Sequence, residues 1–146
     1  MKQFIFLFAV SGLTLFSCKK SGSFDHIPAS LDGKWRMVMV TENVSGLTTT
    51  KPSAVQGDVD IIFTPTSSTN GSFTGNTPTN DIWQSQYSTG ANQSMTIPCL
   101  AMTKVMETAW GNEFVNNIRN SREYSFEAGG ILKIKTPEKT LSFRKL

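Results

Sequence analysis

Short runs in which apolar and polar residues alternate occupy most of the chain after residue 30, and this alternation is typical of half-buried β-strands. Two early runs predict buried faces made of Trp35, Met37 and Met39, with Val38 and Val40 facing the other way, and of Val59, Ile61 and Phe63. Residues 45–57 between them predict a loop. Asn70 and Gly71 both tolerate positive φ, so they predict the turn of a hairpin.

Five more short strands are predicted further along the chain. They lie around Tyr87, in residues 94–97, and at three alternating pairs: Tyr124 with Phe126, Leu132 with Ile134, and Leu141 with Phe143. Gly90, Gly130 and Pro137 mark turns between these strands. Seven or eight strands are therefore expected in all.

Residues 104–120 have helical spacing instead. The apolar residues four apart are Met106, Trp110, Phe114 and Ile118, with Val105 and Ala109 beside them. This stripe indicates a helix that packs on the core, although Gly111 weakens it by about 1 kcal/mol relative to alanine. The pattern predicts an α+β domain with a strongly bent antiparallel sheet and one inserted helix.

The first 17 residues have the features of a lipoprotein signal peptide. Lys2 gives a positive start, and residues 4–16 are almost wholly apolar. This stretch is too short to span a bilayer, which takes about 20 residues. It ends in Leu15-Phe16-Ser17-Cys18, which resembles a bacterial lipobox. That resemblance implies cleavage before Cys18 and acyl chains such as palmitate on the new N-terminal residue, which would anchor the protein to a membrane.

Residues 18–30 would form the lipidated cysteine and a polar tether, since Gly22, Pro28 and several serines are typical of linkers. His26, the only histidine, lies in this tether, where nothing orients it for metal binding or general-base chemistry. Lys19 follows the cysteine, where an Asp would resemble an inner-membrane retention signal. We therefore expect a lipid-anchored protein of the bacterial cell envelope, at the outer membrane.

Charge and cysteine content bear on several function classes. The net charge of +3 is small. The basic residues near the C-terminus alternate with apolar ones, which indicates solvated strand faces rather than a nucleic-acid site, with contact to anionic head groups as the alternative. These residues are Lys133, Lys135, Lys139, Arg144 and Lys145. If Cys18 carries lipid, Cys99 has no disulfide partner, and we expect it to be a small buried hydrophobic residue.

No set of residues predicts catalysis, so we expect no enzyme, no cofactor and no metal. Asp58 and Asp60 share a strand face, but solitary carboxylates on strands usually face solvent. They could bind a cation only with further oxygen ligands from elsewhere. An unrecognised hydrolase is kept as an alternative, since converging polar side chains in a cleft cannot be read from sequence.

An ordered series of motifs runs through residues 31–146. It consists of Gly33-Lys-Trp35, Phe63, Gly71-Ser-Phe73-Thr-Gly75, Asn80, Tyr87, Thr103-x-x-Met106, Phe114, Tyr124, Gly130-x-Leu132 and Leu141-x-Phe143. This series resembles the META (HslJ-like) domain family. Thr79 and Glu107 depart from the pattern, because family members often have cysteines at these two places. No redox or disulfide role is therefore carried over.

The resemblance implies a cracked β-barrel-like sheet closed by one helix, found in envelope lipoproteins and without established enzymatic activity. It implies a binding, structural or stress-related role. Gly75 and Asn80 of the series are predicted to be turn residues, with a role in ligand binding as the alternative. The partners expected are a membrane, through the acyl chains on Cys18, and a lipid, a small apolar ligand or an envelope protein. No nucleic acid is expected.

A second resemblance starts from Gly33-Lys-Trp35, which is also similar to the opening of lipocalins. Lipocalins carry a small apolar ligand inside an eight-stranded barrel and place their helix after the last strand. Here the predicted helix precedes the final three strands, which favours the META reading. Either reading permits an apolar cavity, with these candidate lining residues: Trp35, Phe73, Trp83 and Trp110.

Overall fold

The computed structural model describes residues 30–146. The predicted signal peptide (1–17) and all of the predicted tether except Ser30, including Cys18, lie outside the described residues. The domain expected over residues 31–146 lies within the described residues.

Nine strands and one α-helix make up the described region. In chain order they are β1 (Gly33–Glu42), β2 (Thr48–Thr50), β3 (Asp60–Pro65), β4 (Asn70–Asn76), β5 (Asp81–Thr89), β6 (Met95–Thr96), α1 (Ala109–Ile118), β7 (Glu123–Glu127), β8 (Ile131–Lys135) and β9 (Lys139–Lys145). A single 3-10 turn, Ala91–Gln93, joins β5 to β6. The short strand β2 falls in residues 45–57, which the sequence predicted as loop only.

The strands form one antiparallel sheet in the order β6-β5-β4-β3-β1-β9-β8-β7, and β2 pairs with β1 beside this path. The two ends of the sheet approach each other, because Ser94 bridges Glu123 and the Met95 N–H donates to the Arg122 carbonyl over 2.8 Å. The sheet of eight strands is therefore nearly closed and barrel-like, with one helix. The coarse expectation of a bent antiparallel sheet with an inserted helix is confirmed, although the domain is mostly β.

Large side chains fill the inside of this sheet. Phe63 meets Tyr87 edge to face at 5.1 Å between ring centroids, and Phe114 of α1 meets Phe143 in the same way at 6.3 Å. Burying one such side chain is worth about 1.5–3 kcal/mol. The largest fully buried side chains are Trp35, Trp110, Phe63, Phe73, Phe114 and Phe143. The predicted apolar faces of the strands thus meet in one core.

The predicted face of β1 is wrong in its second half. Trp35 and Met37 point inward, but the register with β9 shifts between Met37 and Met39, so Val40 is buried instead of Met39. A β-bulge adds one residue to a strand and reverses the facing of the residues that follow. Alternation alone cannot place such a bulge.

The hairpin turn is four residues earlier than predicted. Residues 66–69 connect β3 to β4, and the N–H groups of Thr66 and Ser67 both donate to the Asn70 carbonyl. Gly71 lies inside β4 opposite Tyr87, where a Cβ atom would be 2.4 Å from the Tyr87 hydroxyl oxygen. Glycine is thus needed there to admit the tyrosine ring.

Gly75 is likewise a strand residue and not the turn residue that was expected. Its φ is +154°, and the register between β4 and β5 shifts between Phe73 and Gly75. A Cβ atom at Gly75 would lie 2.0 Å from the Asp60 carbonyl oxygen on β3. The two backbones can approach this closely only because the residue has no side chain.

The helix is shorter than the predicted 104–120. Thr108 is its N-cap, and the Thr108 hydroxyl accepts a hydrogen bond from the Gly111 N–H over 3.0 Å. The buried stripe of Trp110, Phe114 and Ile118 is confirmed. Val105 and Met106, which were expected to extend it, precede the helix and are 61% and 90% exposed. Their spacing was helical by coincidence.

Candidate functional site

A groove of about 930 Å³ runs along the outer side of α1. The helix supplies one wall, lined by Asn112, Val115, Asn116, Arg119 and Asn120. The segment between β6 and α1 supplies the other wall, and we call it the 96–107 segment because residues from Thr96 to Glu107 line the groove. The groove therefore lies between α1, which the sequence predicted, and the 96–107 segment, whose irregular course the sequence did not predict.

Aliphatic side chains form the floor of the groove. Leu100 and Met102 come from the 96–107 segment and Val115 from the helix, and all three pack partly buried against the core. Polar and charged groups lie above them on both walls. An open groove with an apolar floor and polar walls is suited to a ligand that has both kinds of surface.

Backbone hydrogen bonds hold the 96–107 segment against the free edge of β5. The Trp83 N–H donates to the Ala101 carbonyl over 2.9 Å, and the Thr103 N–H donates to the Asp81 carbonyl over 3.0 Å. Met102, between them, faces Ile82 in an antiparallel bridge. Because Ala101 and Thr103 make these bonds, the Met102 backbone groups point away from β5 and toward the groove.

Asn80 holds the next part of the segment. Its side-chain oxygen accepts from the Thr103 hydroxyl over 3.0 Å and from the Val105 N–H over 2.7 Å. Its side-chain nitrogen is 3.0 Å from the Val105 carbonyl and 2.9 Å from Glu107 Oε2. Asn80 also lies in the β4–β5 connection, where its carbonyl accepts from the Thr77 N–H. It is thus a turn residue, as expected, and in addition the clamp of one groove wall.

Glu107 ends this wall with a carboxylate that is already fully engaged. It accepts hydrogen bonds from Thr77, from Asn80 and, over 2.8 Å, from the Thr108 N–H. Burial raises the pKa of Glu107, and these hydrogen bonds more than offset that effect, so its pKa lies below the ordinary value. A Cβ atom at Gly111 would lie 2.2 Å from Glu107 Oε1. Gly111 therefore weakens α1 but makes room for this carboxylate.

Thr79 and Glu107 both contribute to this one network. The Thr79 hydroxyl donates to the Met106 carbonyl over 3.0 Å and lies 3.0 Å from the Asn80 amide nitrogen. Polar contacts therefore link the β4–β5 connection to the start of α1 at these positions.

Two cations give the groove a positive charge. Lys104 and Arg119 line it and are exposed, and in residues 30–146 neither forms an ion pair. Glu107 is the one acidic residue among the described lining residues, and its carboxylate accepts hydrogen bonds from Thr77, Asn80 and Thr108 rather than pairing with a cation. An anionic group on a ligand would find two unpaired partners here.

The aromatic residues named as candidate cavity lining do not come together at this groove. Trp35, Phe73 and Trp110 are at most 1% exposed and belong to the packed core. Trp83 has 57% of its surface exposed on the outer face of β5. The groove is lined instead by residues that were not predicted as cavity lining, among them Asn80, Thr103, Met106 and Glu107 from the motif series and its departures. Asn112 and Asn116 of α1 and Asn120 just beyond its end recur every four residues.

Cys99 is exposed, so the prediction of a buried hydrophobic residue is wrong. It follows Pro98 in the 96–107 segment, where Ile97 points into the core and Leu100 is partly buried. The segment is irregular, so its inward positions follow no fixed period. Residue type alone could not place this thiol.

Asp58 and Asp60 are not solitary. Arg36 on β1 contacts Asp60 at 2.7 Å and Asp58 at 2.9 Å, Lys34 contacts Asp60 at 3.1 Å, and Lys51 contacts Asp58 at 2.7 Å. The Arg36 guanidinium holds the pKa of Asp60 below its ordinary value, against the burial that raises it. Over the described residues, no group of three or more histidine, cysteine or acidic side chains could hold a metal ion.

The basic residues near the C-terminus are mostly engaged with neighbours. Lys133 pairs with Glu127 at 2.7 Å, and Lys139 pairs with Glu113 at 2.8 Å. Lys145 lies over the Trp35 ring, 5.3 Å from its centroid. These contacts fit the expected solvated strand faces.

No protein-family model and no curated protein matches the chain. Within residues 30–146, no helix is both long and apolar enough to cross a bilayer. The function of the protein is therefore inferred from its fold and from the geometry of the groove.

Proposed function

We propose that the chain is a non-enzymatic, lipid-anchored protein of the bacterial envelope, whose META-like domain binds a partner in the groove along α1. The observation that carries the proposal is the groove itself: an aliphatic floor, two polar walls and two unpaired cations on one face. Leu100, Met102 and Val115 would contact apolar groups of the partner, and the walls would orient it. Such a division of roles is usual at binding sites.

Binding is favoured over hydrolysis because the one carboxylate in the groove lining, Glu107, and the buried carboxylate of Asp60 already have partners. The oxygens of Glu107 accept hydrogen bonds from Thr77, Asn80 and Thr108. Those of Asp60 accept from Arg36 over 2.7 and 2.9 Å. A general base must reach the proton that it removes, whereas these groups hold strands and loops together.

A lipocalin-like carrier is the alternative, and the packing of the interior argues against it. The candidate cavity residues Trp35, Phe73 and Trp110 contact other core side chains and are buried. An interior ligand would have to displace aromatic rings that each contribute about 1.5–3 kcal/mol. The groove needs no such displacement.

The anchor in this proposal is Cys18, in the lipobox-like tetrad. The 12 residues from Lys19 to Ser30 can reach at most about 40 Å from it when fully extended. The domain would therefore meet partners close to the membrane, at the outer membrane if Lys19 acts as expected. Replacement of Cys18 by serine should abolish labelling by radioactive palmitate in the host, and continued labelling would refute the anchor.

The groove is tested by site-specific cross-linking in living cells. A photoreactive amino acid at Asn112 should give a discrete cross-linked product, and the same group at Arg144 on β9 should not. Asn116→Trp, which fills the exposed middle of the groove, should remove the product from Asn112. Products of equal intensity at both positions, or a product that Asn116→Trp leaves unchanged, would contradict binding in the groove. Native mass spectrometry of the purified chain before and after delipidation tests the carrier alternative.

A further inference from the structure

We propose that the groove accepts an extended acidic peptide segment, which pairs with the backbone at Met102 and places its carboxylates beside Lys104 and Arg119. This inference rests on the proposed function, because it names the chemical class of the partner that the groove would bind. Three observations support it: an unpaired backbone edge, an unbalanced positive charge and a wall of carboxamides.

The backbone edge lies at Met102. In the described part of the chain, the N–H and C=O of Met102 have no hydrogen-bond partner, whereas the neighbours Ala101 and Thr103 bond to β5. An exposed edge of this kind pairs readily with an extended chain, which adds to the sheet as a further strand.

The helix is long enough to flank a short peptide. The ten residues of α1 extend about 15 Å, and an extended chain rises about 3.4 Å per residue. About five peptide residues would therefore lie along the helix. Every second side chain of the peptide would point to the aliphatic floor at Leu100, Met102 and Val115. The other side chains would point to solvent and to the charged residues of the two walls.

The positive charges on the two walls of the groove favour acidic side chains in the peptide. Lys104 lies on one wall and Arg119 on the other, and both are exposed and without an ion pair in residues 30–146. The carboxylate of Glu107 forms no ion pair with either cation in residues 30–146, because Thr77, Asn80 and Thr108 hold it, so two positive charges face one negative charge in the groove lining. Complementary charges at a rim chiefly set specificity and the rate of association.

The helix wall is suited to peptide groups rather than sugars. Asn112, Asn116 and Asn120 line the wall with carboxamides, a group that can both donate and accept as a peptide group does. Two of them already donate once within the chain, Asn112 to the Glu107 carbonyl and Asn120 to the Asn116 carbonyl, and each amide nitrogen carries a second hydrogen. The described lining contains no aromatic ring on which a sugar could stack. A peptide with alternating apolar and acidic residues could therefore contact the aliphatic floor, the carboxamides of the helix wall and the two cations at the same time.

The test uses the full chain in detergent micelles and two synthetic probes, acetylated and amidated hexapeptides of alternating valine with glutamate or with lysine. Fluorescence anisotropy should show binding of the glutamate peptide and at least tenfold weaker binding of the lysine peptide, about 1.4 kcal/mol in free energy. Lys104→Glu and Arg119→Glu should each weaken the glutamate peptide roughly fivefold. Arg144→Glu makes the same change of charge outside the groove and should have no effect.

Backbone pairing is tested separately with N-methylated forms of the glutamate peptide. Methylation of alternate nitrogens should abolish binding in one register and spare it in the other, because only one edge of an added strand faces Met102. Binding that survives both methylations would overturn the added strand. Equal affinity for the glutamate and lysine peptides would overturn the acidic preference. If neither peptide binds, the inference fails while the cross-link at Asn112 still decides the proposed function.

Discussion

The Asn80 amide nitrogen lies 2.9 Å from Glu107 Oε2 and joins two parts of the chain that are 27 residues apart. Asn80 belongs to the β4–β5 connection, and Glu107 directly precedes the N-cap of α1. The contact fixes where the 96–107 segment ends and the helix begins. The groove therefore owes one wall to a hydrogen-bond network rather than to regular secondary structure.

Asn80→Ala should destabilise the domain by about 2–3 kcal/mol, because it removes a buried side chain that accepts hydrogen bonds from the Thr103 hydroxyl and the Val105 N–H and supplies one of the donors to Glu107. Urea denaturation followed by circular dichroism measures the change. Asn112→Ala, on the exposed face of α1, is the control and should stay within about 0.5 kcal/mol of the wild type. Equal stability of the two variants would contradict the clamp.

Gly75→Ala should lower the free energy of unfolding by about 3 kcal/mol or more. Its Cβ atom would lie 2.0 Å from the Asp60 carbonyl oxygen of β3, and β3 is held in place by its pairing with β4. Gly129→Ala is a matched control: its φ is +78°, but a Cβ atom there meets nothing within 4 Å. Only the conformational cost, about 1 kcal/mol, is expected at Gly129. Thermal unfolding of both variants compares them, and a Gly75→Ala variant as stable as the control would refute the close approach.

Thr108→Ala should lower the free energy of unfolding by about 1 kcal/mol, because it removes the side-chain cap of the Gly111 N–H. Thr108→Ser retains the hydroxyl and should recover most of the loss. Equilibrium unfolding in urea measures both. If serine were as damaging as alanine, the methyl group and not the cap would be responsible.

The stability of the domain should fall in acid as the carboxyls of Asp60 and Glu107 take up protons. Both have pKa values below their ordinary values in the folded state. The unfolded chain therefore binds protons first as the pH falls, so stability that is present above about pH 5 is lost progressively below it. Unfolding curves from pH 7 to pH 3 measure the slope. The double variant Asp60→Asn, Glu107→Gln should be less stable at pH 7 and show a flatter slope, and an unchanged slope would exclude these two groups as its source.

Much of the fold could be predicted because the strands follow a period of two and the helix a period near 3.6. Val59, Ile61 and Phe63 are buried as expected, and so are Leu132, Ile134, Leu141 and Phe143 in the last two strands. The apolar stripe of α1 was found for the same reason. These patterns are local, and burial of apolar surface enforces them.

The departures occur where a distant residue overrides the local pattern. Pairing of β1 with β9 places a bulge before Met39 and turns Val40 inward. The side chain of Glu107 explains a glycine inside the helix, and the backbone of Asp60 explains Gly75. None of these contacts leaves a trace in the period of the sequence.

By itself, the sequence determined most of the side chains that face the core, that the sheet is antiparallel and bent, and that one helix packs on it, because each follows from the spacing of apolar residues. Only the tertiary structure decided where the groove lies. Lys104 and Arg119 come from different segments, and Met102 presents its backbone to the groove only because Ala101 and Thr103 bond to β5. Such a site depends on contacts between residues far apart in the chain, which no local period encodes.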